Sequence, residues 1–108
     1  MAREVNRGEI WQYQFKSPDK RRPVLVISRQ EVIRLLGTVM VAPITSTRRG
    51  LPSEVFVGPE HGLRHASAVN LDHVQTVDRA RLIAYAGSLG EDKMRDVCRA
   101  LTIATGCD

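Results

Sequence analysis

The sequence predicts a mainly β protein with added helices (an α+β fold), and two patterns carry this prediction. Five or more short apolar segments follow one another closely, separated by turns that contain glycine or proline, which favours a small barrel or sandwich. The C-terminal segment instead repeats apolar residues at helical spacing. With 108 residues and no internal repeat, low-complexity tract or linker, a single domain is expected to fill the chain, residues 1–108.

The predicted strands are short, apolar segments rich in β-branched residues. They cover residues 10–15, 24–27, 39–44, 54–57, 66–71, 74–77 and 82–86. Side chains alternate along a strand, so three aromatic residues of the first segment share one face. Aromatic residues in this arrangement usually fill a core, although they can also stack on nucleic-acid bases. The three are Trp11, Tyr13 and Phe15.

Two segments are predicted to be helices. Ser28 and Glu31 form a capping-box pattern before a short apolar segment that stops at Gly37, which predicts a helix of about two turns. The second helix is C-terminal, with Ser88 or Gly90 as its cap. Its apolar residues form one stripe, which is expected to pack on the barrel. The stripe consists of Met94, Val97, Leu101 and Ala104.

Positive charge is concentrated in two predicted loops, residues 16–23 and 45–52. The chain has a net charge of +4 and a pI near 9.6, which is compatible with a polyanionic partner such as nucleic acid. The side chains of the two loops can meet a phosphate backbone, but a solvated basic rim explains them equally well. They are Lys16, Lys20, Arg21, Arg22, Arg48 and Arg49.

Several classes of protein are disfavoured by the composition. No apolar run approaches the roughly 20 residues that span a bilayer, and the N-terminus lacks the apolar core of a signal peptide, so a cytoplasmic protein is expected. His61 and His65 have the spacing of metal ligands, but glycine and proline nearby disfavour a helix, so no metal site is expected. Cys98 and Cys107 do not suggest a disulfide framework, and Cys98 is expected to be a packed thiol.

Cleavage of RNA is one activity that needs no metal ion, because the 2'-hydroxyl is an internal nucleophile. The reaction needs a base for the hydroxyl proton, a cation for the charge on phosphorus, and an acid for the leaving 5'-oxygen. Arginine suits the cationic role, since its planar fork matches two phosphate oxygens. Four residues beside predicted strand ends have suitable chemistry, although composition alone does not select them. They are Arg22, Thr45, Asp72 and His73.

Four short motifs occur in a fixed order along the chain. They are RGEIW at 7–11, RRPVLVIS at 21–28, VAPITS at 41–46 and SAVNLDHVQTV at 67–77. Each motif alone is weak, but the four together, in this order and spacing, resemble the MazF/PemK family of toxin endoribonucleases of type II toxin–antitoxin systems. The final helix matches as well, so the resemblance covers residues 7–105.

The resemblance implies an SH3-like barrel with added helices, assembled as a homodimer. It also implies sequence-specific cleavage of single-stranded messenger RNA without a metal or other cofactor, leaving a 2',3'-cyclic phosphate and a 5'-hydroxyl and inhibiting translation and growth. An antitoxin with a disordered acidic segment is the implied protein partner. The main alternative is a gyrase-binding toxin of the CcdB type, which shares the barrel but has no need of Arg22 and Thr45.

Individual residues can be matched to the family's motifs. Arg22 matches the catalytic arginine, a phosphate stabiliser or proton donor, and Thr45 matches the catalytic threonine. Asp72 matches an aspartate used by the PemK/Kid branch. His73 replaces the usual glutamine and is a candidate general base, although a structural role is equally plausible. The residues expected to contact RNA are Lys16, Lys20, Arg21, Ser46, Arg48, Arg49, Asn70 and Gln75.

Overall fold

The computed structural model describes residues 4–15 and 21–107, and within them the chain forms a strand-rich fold with a C-terminal helix, as predicted. The strands are β1 (Glu9–Gln14), β2 (Arg21–Val26), β3 (Thr38–Thr45), β4 (Glu54–Val57), β5 (Ser67–Asn70), β6 (Gln75–Asp78) and β7 (Leu82–Ser88). The α-helices are α1 (Gln30–Ile33) and α2 (Glu91–Thr105). Single turns of 3-10 helix occupy Pro59–His61, Leu71–His73 and Arg79–Arg81.

The strands pair in the order β4-β5-β3-β2-β1-β7, all antiparallel, and β6 pairs with β3 outside this path. β3 is eight residues long and has two partners on one side, because its first half pairs with β6 and its end pairs with β5. The pairing of β1 with β7 contains two register shifts, which bend a strand and increase its twist. The result is a curled, barrel-like sheet whose pairing path is open between β4 and β7.

Two glycines bring the segment between β4 and β5 against β7. Gly62 has a φ of +95°, and a Cβ added to it would lie 2.2 Å from the carbonyl oxygen of Ala86. A Cβ added to Gly87 would lie 2.0 Å from the carbonyl oxygen of His61. The two backbones therefore meet where no side chain fits. This glycine contact bridges the open side of the barrel.

Two clusters of buried side chains pack on opposite faces of the sheet, because neighbouring residues of a strand point to opposite sides. The α2 stripe belongs to the first cluster, in which Val97 is buried and its other three residues pack as predicted. The second cluster contains Trp11 and Tyr13, with Phe15 packed against it, so the aromatic face does fill a core. Each large side chain buried in this way contributes about 1.5–3 kcal/mol to folding.

The predicted loop at residues 16–23 is wrong in its last part. Arg21, Arg22 and Pro23 begin β2, whereas residues 16–20 lie outside the described part of the chain. Pairing between β2 and β3 starts only at Val24, so Pro23 has a hydrogen-bonded neighbour strand, β1, on one side alone. Proline is tolerated at such an edge-like position, since no ladder bond there needs its missing N–H.

The predicted capping box at Ser28 is also wrong. The N-cap of α1 is Arg29, it makes no side-chain capping bond, and the helix is a single turn rather than two. The buried hydroxyl of Ser28 instead accepts a hydrogen bond from the backbone amide of Met40, at 2.8 Å. Ser28 therefore joins the end of β2 to β3. At the other helix the expected cap, Gly90, is observed.

Cys98 is exposed, which contradicts its prediction as a packed thiol. It follows the buried Val97, and consecutive helical residues are separated by more than a quarter of a turn, which moves Cys98 out of the buried stripe. Its sulfur accepts a hydrogen bond from Nη2 of Arg7 at 3.3 Å. Within residues 4–15 and 21–107, no helix combines the length and the apolar character needed to cross a membrane.

Candidate active site

Arg22 and Thr45 lie at the same end of the sheet, on adjacent strands. Val24 is opposite Pro43 in the β2–β3 ladder. Arg22 lies two residues before Val24, and Thr45 lies two residues after Pro43. Because the strands are antiparallel, both residues are at the same end of the sheet, and the alternation of side chains along a strand places both on one face. The opposite neighbour of Arg22 on β1 is Tyr13, and β5 borders Thr45 on its other side. Pairing of the sheet therefore brings together two residues that are distant in sequence.

A cleft of about 630 Å³, the arginine cleft, opens at this end of the sheet. Its walls are the ends of β1, β2, β3 and β5 together with the segment 62–65, which begins at the glycine contact. The lining residues are Gln12, Arg21, Arg22, Pro23, Ile44, Thr45, Ser46, Gly62, Leu63, Arg64, His65 and Ser67.

The arginine cleft is positively charged. Arg21, Arg22 and Arg64 are exposed and line it, and no carboxylate is among the lining residues that the structure describes. Across the described ranges, none of these three guanidinium groups forms an ion pair. Their hydrogen-bond donors are thus available to an anion, and the planar fork of arginine suits phosphate.

The hydroxyl of Thr45 is held in place by the chain that follows it. Its Oγ1 accepts a hydrogen bond from the backbone amide of Thr47 at 3.1 Å, and the residue is half-buried. A hydroxyl that accepts one bond can still donate its own hydrogen. Thr45 can therefore donate to an anionic oxygen in the cleft. Ser46, the next residue, is exposed and also lines the cleft.

Asn70, Asp72 and His73 form a separate polar turn at the end of β5. Oδ1 of Asn70 accepts from the amide of Asp72 at 2.9 Å, and Nδ2 of Asn70 lies 3.3 Å from Nδ1 of His73. The Asp72 carboxylate accepts from the Ser53 hydroxyl at 2.5 Å. None of the turn's three residues is among the described residues that line the arginine cleft.

The turn nevertheless flanks the cleft. Ala68 is opposite Thr45 in the β3–β5 ladder. Asn70 is two residues further along β5 and on the same face as Ala68. Two residues of a strand span about 7 Å, which is the separation of Asn70 from Ala68 along β5.

The other predicted RNA contacts that the structure describes are dispersed over the surface. Lys16 and Lys20 lie outside the described residues. Arg48 packs over the ring of Phe56, with 4.8 Å between its Cζ and the ring centroid. Arg49 is exposed on the loop after β3, and Gln75 is exposed at the start of β6. Of the predicted set, the structure places Arg21 and Ser46 in the cleft with Arg22 and Thr45.

Four cleft residues with polar side chains were not among the predicted site residues: Gln12, Arg64, His65 and Ser67. Arg64 and His65 are adjacent basic residues in a turn, which was a readable signal of a third basic loop. The sequence spacing singles out His65 only as a metal-ligand candidate together with His61. The fold separates their roles, since His61 accepts the Gly58 amide through Nδ1 at 3.2 Å. In the part of the chain that the structure describes, no group of three or more His, Cys, Asp or Glu residues could hold a metal ion.

Comparison with known proteins gives consistent matches. Residues 6–105 match the family model described as "PemK-like, MazF-like toxin of type II toxin-antitoxin system". The chain is 43% identical over 102 residues to the probable endoribonuclease MazF5 of Mycobacterium tuberculosis, covering 94% of this chain and 93% of that protein.

Solved structures with the same fold include two mycobacterial proteins. The Mycobacterium tuberculosis toxin MazF-mt6 superposes with a TM-score of 0.85 at 36% identity, covering 93% of this chain and 98% of that one. An endoribonuclease in complex with its cognate antitoxin, from a mycobacterial species, gives a TM-score of 0.87 at 27% identity and covers 97% and 98%.

Proposed function

The chain belongs to the family of PemK-like, MazF-like toxins of type II toxin–antitoxin systems, and on that premise we propose that it is an endoribonuclease that cleaves single-stranded messenger RNA. The observation that carries the proposal is that Arg22 and Thr45 line one cleft, whose described lining includes three arginines and no carboxylate. A relative that is 43% identical over nearly the whole chain is named a probable endoribonuclease, which supports this activity over gyrase binding.

In the proposed reaction the 2'-hydroxyl of the RNA attacks the adjacent phosphorus. The new bond joins O2' to phosphorus, the bond to O5' breaks, and the products are a 2',3'-cyclic phosphate and a 5'-hydroxyl. Arg22 binds two phosphate oxygens through its guanidinium fork and stabilises the charge that develops on them. Thr45 donates its hydroxyl hydrogen to a phosphate oxygen. These groups supply the required positive charge and hydrogen bonds without a metal ion.

The RNA is proposed to extend from the arginine cleft across the neighbouring polar surfaces. Arg21 and Ser46 contact the phosphate next to the reacting one, because they line the same cleft. The turn of Asn70, Asp72 and His73 receives an adjacent nucleotide, since it flanks Thr45. Beyond it, the remaining predicted contacts meet the outer nucleotides. These are Lys16, Lys20, Arg48, Arg49 and Gln75.

Asp72 and His73 stay candidates for the general base. The carboxylate of Asp72 is exposed and already accepts the Ser53 hydroxyl. His73 is exposed as well, and one of its ring nitrogens lies beside the Asn70 amide. Either residue requires RNA that passes over the turn. Substitution of each by its amide analogue, Asp72→Asn and His73→Gln, distinguishes them.

The proposed partners are RNA, a second copy of the chain and an antitoxin. An acidic, disordered antitoxin segment suits the arginine cleft because its carboxylates can pair with the three guanidinium groups, which form no ion pair with any described residue. A related structure contains an endoribonuclease with its cognate antitoxin, which supports such a partner. A homodimer and a cytoplasmic location, where messenger RNA is translated, complete the proposal.

The decisive experiment is cleavage of a long RNA by the purified protein in the presence of EDTA. We expect discrete fragments that end in cyclic phosphates, and a loss of about 100-fold or more with Arg22→Ala or Thr45→Ala, as for removal of a donor that stabilises developing charge. Arg95→Ala is a matched control, because Arg95 is an exposed arginine of α2 outside the cleft. Intact RNA at high protein concentration refutes the nuclease, and wild-type cleavage by both variants refutes the site.

A further inference from the structure

The three histidines of the chain have different surroundings. His61 is half-buried and its Nδ1 accepts the amide of Gly58 at 3.2 Å. His73 lies on the polar turn, with Nδ1 at 3.3 Å from the side-chain amide of Asn70. His65 is exposed and lines the arginine cleft, and its ring makes no hydrogen bond or ion pair with any described residue. Only His65 therefore combines a place in the cleft with two uncommitted ring nitrogens.

We propose that His65 is the general base of the cleavage reaction, taking the proton of the attacking 2'-hydroxyl. The inference rests on the proposed nuclease function and adds a residue that the sequence motifs did not indicate. Imidazole is suited to this role because it exchanges a proton near neutral pH. Arg22 and Thr45 supply positive charge and a hydrogen-bond donor to the same cleft, but neither readily accepts a proton.

The backbone of His65 is fixed on both sides. The buried hydroxyl of Ser67 donates to the carbonyl oxygen of His65 at 2.9 Å. On the preceding side, Leu63 is buried in the core and Gly62 forms the glycine contact with β7. A side chain mounted between two such anchors stays at the rim of the cleft while its ring remains free to turn. This arrangement suits a group that must approach a bound substrate.

The charged groups around His65 are arginines. Arg21 and Arg22 line the cleft from β2, and Arg64 precedes His65 on the same segment, whereas no acidic side chain is among the described residues that line the cleft. Arg21 and Arg22 are placed to hold the phosphate from β2, whereas His65 lines the cleft from the segment 62–65, so the base and these two phosphate ligands come from different segments of the cleft.

The proton balance of the step is complete. His65 takes the proton from the 2'-hydroxyl as the O2'–phosphorus bond forms. The leaving 5'-oxygen takes a proton from a water molecule of the open cleft, and the resulting hydroxide takes the proton back from His65. The bond from phosphorus to O5' is replaced by a bond to O2', with no net uptake of protons and no change of oxidation state.

The test is the pH dependence of single-turnover cleavage by His65→Gln, with His73→Gln measured in parallel because His73 is the competing candidate base. For the wild type and His73→Gln we expect the rate to fall on the acidic side as imidazole becomes protonated. For His65→Gln we expect a loss of about 10²–10⁴-fold and disappearance of that acidic limb, as for removal of a general base. RNA binding, measured with a substrate that carries 2'-deoxyribose at the cut site, is expected to change less than about threefold, since His65 is not a phosphate ligand.

A second variant, His65→Ala, removes the imidazole ring and allows free imidazole to be supplied in solution. Added imidazole is expected to restore part of its cleavage rate without affecting Arg22→Ala. Cleavage by His65→Gln within threefold of wild type, or an unchanged acidic limb, overturns the proposal. Loss of the acidic limb in His73→Gln also overturns it and assigns the base to His73. A wild-type protein that cuts no RNA at all contradicts the nuclease function instead, so the two failures are distinguishable.

Discussion

Replacing Gly62 with alanine tests the contact that closes the barrel. Two costs are expected. A φ of +95° lies in the left-handed range, where an L side chain costs about 1–2 kcal/mol. The new Cβ would also lie 2.2 Å from the Ala86 oxygen and 3.0 Å from its carbonyl carbon, and relief of such overpacking typically costs about 1–3 kcal/mol. Gly62→Ala should therefore lower the free energy of unfolding by about 2–5 kcal/mol.

Gly50 provides the matched control. Its φ is +71°, but a Cβ added there meets nothing within 4 Å. Gly50→Ala should therefore pay only the backbone cost, about 1–2 kcal/mol. The difference between the two variants isolates the steric part of the glycine contact. Gly87→Ala approaches the same contact from β7, where the oxygen of His61 would be 2.0 Å away, and it should be destabilised by a similar steric amount.

The measurement is urea unfolding of each variant at one fixed protein concentration, because the stability of the proposed homodimer would depend on concentration. In thermal unfolding, each kcal/mol corresponds to a shift of about 4 °C or more for a domain of this size. If Gly62→Ala and Gly50→Ala agree within about 0.5 kcal/mol, which is the usual scale of near-neutral surface changes, the reasoning about barrel closure is refuted.

Two further predictions concern a buried hydroxyl and the charge of the cleft. Ser28→Ala leaves the Met40 amide without its partner and should lower the free energy of unfolding by about 1–3 kcal/mol in urea, without changing cleavage by the folded protein. Unchanged stability would show that this bond is not formed. Binding of non-cleavable RNA should weaken with salt, with a log–log slope near −2 if the three cleft arginines each contact a phosphate of a single strand, at about −0.7 per contact. An affinity that is flat with salt contradicts the phosphate-binding cleft.

Local periodicity predicted the parts of the fold that depend on neighbouring residues. The stripe of α2 and the aromatic face of β1 follow from repeats of 3.6 and two residues, and both are buried as expected. Ser28 illustrates where this information ends. A serine before an apolar segment fits a helix cap, but its hydroxyl satisfies an amide on β3, and only the packed fold determines which amide is nearest.

Residues of the candidate site were predictable only where they belong to one of the four sequence motifs. Arg22 and Thr45 follow from the ordered motifs, and strand pairing explains why they meet. Arg64 and His65 could not be placed beside them from sequence, because their position depends on a contact between Gly62 and a strand much later in the chain. The pattern around each glycine reads as an ordinary turn or strand, and nothing local indicates that the two backbones touch.

The glycine contact also sets the order in which the molecule can be completed as it is synthesised. The residues that line the arginine cleft lie between Gln12 and Ser67, so all of them leave the ribosome before Gly87 does. Until β7 emerges and pairs with β1, the segment 62–65 has no strand to close against. The wall that carries Arg64 and His65 is therefore among the last features to form, and a nascent chain that stops before β7 has every cleft residue but not the assembled cleft.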